Sequence, residues 1–577
     1  MATWTQTDST PGRRVFCRPL DVTETGFYYD SLFNSTADSV MHIHLRAAQD
    51  ADKNLYSPAN VTRSWSSVKR RFPLLAAEVQ EHDSTIQFVL REQSVGTLCA
   101  NEITFTDVSS FQDADRFVLD IMEGSRPLSS QMLARLYILR RTDLRDHFHA
   151  IIIIAHCITD GSSTSTVIRT FFDTLSSRFN HPTQPLETRL PMYRSLESGI
   201  SYNGQNVPRR RWRRALGFAI YTVWKAKFQG GHTLPGNFTT LTPYTPAQSL
   251  LLVTNFSPET SSLILKNCRR HNITLNNAYY AISQVAMTRV LCRRYIRGEI
   301  GEDEWEYRKC QPMHFHGPLN LRPYLDSDWF KEGGSGDVGL NISFFQYTLP
   351  FMPLGKMSRP GTNNLELVNG APSFSDLMSF GRFLLRCSMV KSQAEQIFNH
   401  PRFVDISVAA HVDRVPPSKE AALKWMQNGE RLCSHEVPVA IPADKLGPVL
   451  SQGGSSLGNM DALVPLDYPL PSSHPLSPLS KKSHPHRAGY ALFDGDHEAS
   501  EPLRLHIEYW RTHLHARFGE LYLGASTSQK RLQYNIFYDG NVFREEVVQE
   551  WLDEIRDATL WYLGQPVVDA GQLQSKL

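Results

Sequence analysis

Residues 147–172 read HFHAIIIIAHCITDGSSTSTVIRTFF. The unbroken run Ile151–Ile154 has the β-branched content of a strand buried on both faces. Directly afterwards Val167, Ile168, Phe171, Phe172 and Leu175 recur at helical spacing, with Ser162 or Ser163 placed to cap the first turn. A strand, a short loop and a helix therefore follow one another, and His156, Asp160 and Gly161 occupy the loop. An imidazole delivered to the end of a buried strand can face a cleft, where its proton affinity serves chemistry. The plainer reading is a histidine satisfied by a backbone carbonyl at a strand end, so the surrounding sequence has to decide.

At 577 residues, 41% apolar and 20% charged, the chain is long enough to bury two substantial cores. A formal charge of +2 gives no field that would imply a nucleic-acid partner. The eight cysteines are scattered from Cys17 to Cys433 without a C-x-x-C pair, which points to a reducing compartment and to neither a zinc site nor a disulfide framework. The H-x-H pairs His42/His44, His147/His149 and His314/His316 put two imidazoles on one strand face, but no third ligand is spaced to complete a site, and no metal is expected. The start lacks the apolar stretch of a secretory leader, and no apolar run approaches the ~20 residues of a membrane span. N-x-S/T matches such as those at Asn34 and Asn60 are accordingly expected to be unused. The final residues, Ser575, Lys576 and Leu577, form S-K-L, an address read by the peroxisomal import receptor, so a peroxisomal location is expected.

Mixed α and β patterning runs through the chain. VMHIHLR, TIQFVLRE and LARLYILRR read as strands and PANVTRSWSSVKRR as a helix ending before Pro73. This gives a first lobe over residues 1–200, a linker over 201–245 holding a basic aromatic helix, and a second lobe over 246–577, in which NISFFQYTL, LRLHIEYW and LQYNIFYD are the strands. The Gly-rich stretch 328–339 and the Pro- and Ser-rich stretch 469–487 read as surface insertions. Gly454–Gly458 fits G-x-S-x-G with Ser456 as a hydrolase nucleophile, but that elbow must open a helix, and Pro465 and Pro469 follow too closely.

Taken in order, RFPLLAAEV (71–79), RPLSSQMLARLYIL (126–139), AHCITDG (155–161), PLNLRPYL (318–325) and GGSSLGNMD (453–461) resemble the CoA-dependent acyltransferase superfamily over about residues 15–563. The resemblance implies an α/β fold with mixed sheets, made of two similar lobes of the chloramphenicol-acetyltransferase type with a tunnel between them and His156 at its midpoint. It implies His156 as general base and Asp160, beside Gly161, turned away to pair with an arginine, for which Arg322 of the NLRP segment is the expected partner. A hydroxyl is a poor nucleophile at neutral pH, so attack on a thioester needs such a base, and the oxyanion needs preorganised donors. Ser455, Ser456, Asn459 and Asn320 are the candidates for that or for positioning substrate. Acyl-CoA as donor, a hydroxylated acceptor, no permanently bound cofactor and a monomeric chain follow from the resemblance.

Condensation domains that form amides usually carry two adjacent histidines; here the first position is Ala155, which favours ester formation. Within the superfamily the chain is most similar to the fungal trichothecene O-acetyltransferase type and, with its S-K-L ending, to the peroxisomal acyltransferases of mannosylerythritol-lipid synthesis. The expected reaction is transfer of a short- or medium-chain fatty acyl group to a glycolipid hydroxyl. The alternatives are acetylation of a terpenoid or polyketide alcohol, and a non-catalytic lipid-binding protein of the same fold. The basic stretch Arg209–Phe228 then has three readings: a weak membrane-surface contact, a site near CoA phosphates, or a structural helix with a solvated flank.

Overall fold

Two six-stranded mixed sheets carry the chain, each with its own apolar core. The computed structural model describes residues 3–8, 12–48, 54–82, 85–177, 184–202, 204–358, 367–428, 437–477 and 503–566. The expected targeting residues Ser575, Lys576 and Leu577 lie outside the described residues.

In the first sheet His147–Ile154 runs antiparallel between Ser39–Ala47 and Ala134–Arg141. Ile151 to Ile154 are fully buried, as an unbroken isoleucine run requires. The helix Gly161–Ser176 covers one face, packing Val167, Ile168, Phe171, Phe172 and Leu175 into the core. Its cap corrects the sequence reading: Asp160, not Ser162 or Ser163, is the N-cap, in extended backbone with its carboxylate accepting from the Ser163 N–H at 3.0 Å. An aspartate at the loop's end caps as well as serine does, and the helix therefore begins at Gly161.

The lobe boundary also differs from expectation. Leu505–Leu514, assigned to the second lobe over 246–577, pairs with Ser39–Ala47 in the first sheet, and Asp467–Tyr468 extends that edge. Alternation identifies a strand but not its partner; Leu505 and Ile507 sit opposite Ala47 and Leu45 and complete the first core.

The second sheet has the order Ile342–Leu349, Met313–Asn320, Gln452–Asn459, Leu521–Ser528, Arg531–Asp539, Ser249–Asn255. Helices Leu275–Ile296 and Glu545–Leu563 contribute many of its buried side chains, Tyr279, Tyr280 and Trp551 among the largest. A small third cluster of Leu196, Ile200, Leu321, Trp329, Phe403 and Val404 joins the end of the stretch 1–200 to residues of the second lobe. The Gly-rich stretch is no peripheral insertion: after a short helix, Ser327–Lys331, it delivers Asp337 to a buried pair with Arg189 at 2.8 Å. Among the described residues no helix is long and apolar enough to cross a membrane.

Candidate active site

The strand His147–Ile154 ends at Ala155, whose N–H is held by the Leu133 carbonyl at 2.9 Å, and the chain then turns over residues 156–158. His156 thus stands half-buried at the strand's C-terminal end. Its ring lies flat on Phe27, from helix Val22–Leu32, with centroids 4.2 Å apart and planes 12° from parallel. Arg414, from helix Phe403–Asn428, stacks on Phe27 as well, its guanidinium carbon 4.0 Å from the ring centroid. The buried His156 Nδ1 makes no hydrogen bond. Burial holds the imidazole below its ordinary proton affinity; its own carbonyl and Asp160 pull upward, while Arg517 and Arg414 push down. At neutral pH the group is therefore unprotonated and able to accept.

Asp160 does not orient His156 in the manner of a hydrolase triad, because its two oxygens are fully used elsewhere. One caps the helix; the other accepts from Arg322 at 2.7 Å and from the Asn341 N–H at 2.9 Å. Arg322 donates further to the Ser163 hydroxyl and the Gly339 carbonyl, both at 2.8 Å, and to Asn320 Oδ1 at 3.2 Å. Burial raises the Asp160 carboxyl, and Arg322 with the two backbone donors more than offsets that, holding it below the usual range. The network ties the loop of the first lobe to residues 320–341 of the second. His156, Asp160, Arg322 and Asn320 are thereby brought to one place, with Gly161 at the helix start, where an added Cβ would meet open space.

The other second-lobe candidates lie outside this network. Ser455 accepts from the Tyr522 phenol at 2.7 Å. Asn459 is exposed, and its amide oxygen caps the turn Met460–Ala462 by accepting from Asp461 N–H. Ser456 sits within the strand Gln452–Asn459, opposite Ala525, and only that single turn follows, so the nucleophile-elbow geometry is absent. Gly454 serves close strand packing: a Cβ there would stand 2.6 Å from the Leu523 carbonyl.

Two arginines near His156 had no signal in the sequence. Arg414 and Arg517 converge on the buried Asp30, Arg517 at 2.7 Å, and Arg414 leaves Nε and Nη1 without hydrogen bonds. His316 stacks on Phe344 at 4.7 Å, and burial followed by Arg517 and Arg414 lowers its pKa to about 3. Its position in an H-x-H pair on one strand face was a signal set aside for want of a third ligand. The other two pairs meet each other: the sheet register places His44 opposite His149, and His42 Nε2 lies 2.9 Å from His149 Nδ1. Among the described residues no group of His, Cys, Asp or Glu is arranged to hold a metal ion. Two cavities, of about 590 and 500 Å³, are lined by Trp4 and Tyr193 among others and by residues 232–238 among others; His156 lines neither.

No family model and no curated protein sequence matches the chain. Solved structures do. A trichothecene 15-O-acetyltransferase, TRI3, from Fusarium sporotrichioides superposes with a TM-score of 0.62 at 11% identity, covering 97% of this chain and 98% of that one. The condensation domain of the monacolin K polyketide synthase MokA gives 0.53 at 10% identity over 95% and 97%. The starter condensation domain of rhizomide synthetase RzmA, solved with C8-CoA, gives 0.53 at 12% identity over 95% and 96%. At such low identity these likenesses establish architecture: the chain has the two-lobed mixed α/β fold of condensation domains and CoA-dependent acyltransferases.

Proposed function

We propose that this chain is an acyl-CoA-dependent O-acyltransferase with His156 as its general base. The observation that carries the reading is a neutral imidazole at the end of a buried strand, with the aspartate of its own motif turned away to Arg322. Nδ1 is buried without a hydrogen-bond partner, and Nε2 is the nitrogen we assign as the base. In the proposed step, Nε2 takes the acceptor's hydroxyl proton as its oxygen bonds to the thioester carbon. The tetrahedral intermediate then collapses, breaking the carbon–sulfur bond, and the proton passes to the departing CoA thiolate. Asp160 and Arg322 hold the loop and do not touch substrate.

The acceptor we propose is a glycolipid hydroxyl such as those of mannosylerythritol, with a short- or medium-chain acyl group, in the peroxisome. Support comes from the S-K-L ending, which would place the enzyme beside acyl-CoA shortened by β-oxidation. A second reading, acetylation of a terpenoid alcohol, is favoured by the likeness to TRI3. Purified protein incubated with an acyl-CoA series and either mannosylerythritol or a trichothecene alcohol, with free thiol as readout, separates the two. Acceptor-dependent thiol release that His156→Ala leaves intact would refute the base assignment. A fluorescent fusion with a free native C-terminus tests location: diffuse signal instead of puncta on a peroxisomal marker removes the peroxisome.

A further inference from the structure

The basic helix Val207–Ala226 is built inside out. It starts at Asn206, whose side chain caps Arg209 N–H at 3.1 Å, and it lies along Phe403–Asn428. Polar groups reach the neighbouring helix: Arg213 pairs with Asp405 at 2.6 Å, and Lys225 and Tyr221 reach Asp413 at 2.6 and 2.9 Å. Gly217, the only buried residue of the helix, permits this approach, since a Cβ there would stand 2.7 Å from Asp405 Cβ.

Four large apolar side chains point the other way. Val207, Trp212, Phe218 and Val223 are 58, 66, 53 and 57% exposed. Val207 and Phe218 are eleven residues apart, as are Trp212 and Val223, so each pair lies on one line along three turns. Between the two lines the outward face carries Ala215, Ala219, Thr222 and Ala226, all exposed, with Arg211. Exposed apolar residues scattered singly need no explanation, but a broad outward helix face made mostly of them does.

The charge that this segment itself contributes has one sign. From Ser198 to Pro258 the sequence contains no Asp or Glu, while seven Lys and Arg fall between Arg209 and Lys227. Four of the seven are turned inward or paired; Arg209, Arg211 and Lys227 have no carboxylate partner among the described residues. An apolar face with a tryptophan, carrying three cations without carboxylate partners while Asp405, Asp413 and Glu197 are each taken up by other cations of the helix, matches the boundary between acyl chains and anionic headgroups. A segment that adds cations and no carboxylate of its own complements an anionic lipid surface.

We propose that this face docks the protein on an anionic phospholipid surface, with Trp212, Phe218 and Val223 entering the headgroup boundary and Arg209, Arg211 and Lys227 reaching phosphate. The chain lies on the membrane and does not cross it. The inference does not depend on the acyltransferase reading.

Full-length protein is mixed with phosphatidylcholine vesicles with and without phosphatidylserine, and bound fraction is read by co-sedimentation. Binding should require phosphatidylserine, weaken with salt, and protect Trp212 from aqueous quenchers. Each cation near such a surface contributes roughly fivefold in affinity, so the triple variant Arg209→Gln, Arg211→Gln and Lys227→Gln should bind ~100-fold more weakly. Trp212→Ser with Phe218→Ser should lose binding while circular dichroism and the melting temperature stay as in the parent. Three results would each overturn the proposal: no binding to either vesicle at low salt, variants that bind like the parent, or parent protein that dimerises in sedimentation velocity through a contact abolished by Trp212→Ser.

Discussion

Asp160→Asn separates a loop-holding aspartate from a catalytic one, because almost all that Asp160 does is visible in its hydrogen bonds. Its side chain and that of Arg322 are 5% and 1% exposed, so solvent cannot screen the pair. The carboxylate accepts three donors: Ser163 N–H, Asn341 N–H and Arg322. An amide has one oxygen, so it can keep the helix cap or the second-lobe contacts, and its NH₂ then faces a donor. Arg322 is left charged and buried among the neutral oxygens of Ser163, Gly339 and Asn320. Breaking a buried pair in this way costs roughly 3–5 kcal/mol, whereas losing a cap alone would cost about 1. Arg322→Met should cost a similar amount by stranding Asp160. With both replaced, no unpaired charge remains, so the double variant should be more stable than the sum of the singles by roughly 2–3 kcal/mol. Urea unfolding followed by tryptophan fluorescence, with matched slopes, measures the cycle. Single variants each within about 1 kcal/mol of the parent, or simple additivity, would refute the reasoning, since a buried charge cannot lose its partner so cheaply.

The acid limb of the pH–rate profile should lie below the ordinary imidazole value near 6.5, because burial and then Arg517 and Arg414 disfavour protonated His156. Arg517→Gln should move that limb upward; an unchanged profile would remove the coupling. Ser456→Ala should stay within a few-fold of the parent in turnover and resist fluorophosphonate labelling, and inactivation together with labelling of Ser456 would restore a hydrolase. Acid should destabilise the fold through His44, His149, His513 and His515, whose pKa values burial lowers to about 4, 2, 3 and 4. Each is neutral in the fold and takes up a proton near 6.5 when unfolded, so their contribution is complete above about pH 7 and is lost as pH falls toward 4. A melting temperature flat from pH 7 to 5 would contradict this.

What could be read from the residues alone was what sequence encodes locally. The isoleucine run before His156 and the 3.6-residue period after Gly161 define a strand–loop–helix unit within thirty residues, and the structure has that unit. Pairing across the sheet was less legible: LRLHIEYW reads as a strand in either lobe, and only its burial against Leu45 and Ala47 decides for the first. The same limit hid the groups around the imidazole. Phe27, Arg414 and Arg517 are separated from His156 by hundreds of residues in two of three cases, and each sits in a helix or loop with no motif of its own. Their common feature is Asp30, which gathers both arginines beneath Phe27.

That gathering bears on how the base is poised. A lone buried imidazole would be held neutral by desolvation, and two nearby cations add to the effect while Nδ1 stays without a hydrogen bond. Asp30 offsets much of the cost of keeping two guanidinium groups close together, so the cations stay while the imidazole remains free. Asp30→Asn tests the arrangement. It removes the shared carboxylate, so the two arginines should separate, the pressure on His156 should relax, and the acid limb should move up together with a loss of stability. Loss of stability with the limb unmoved would mean that Asp30 and its arginines hold the fold but do not tune the imidazole.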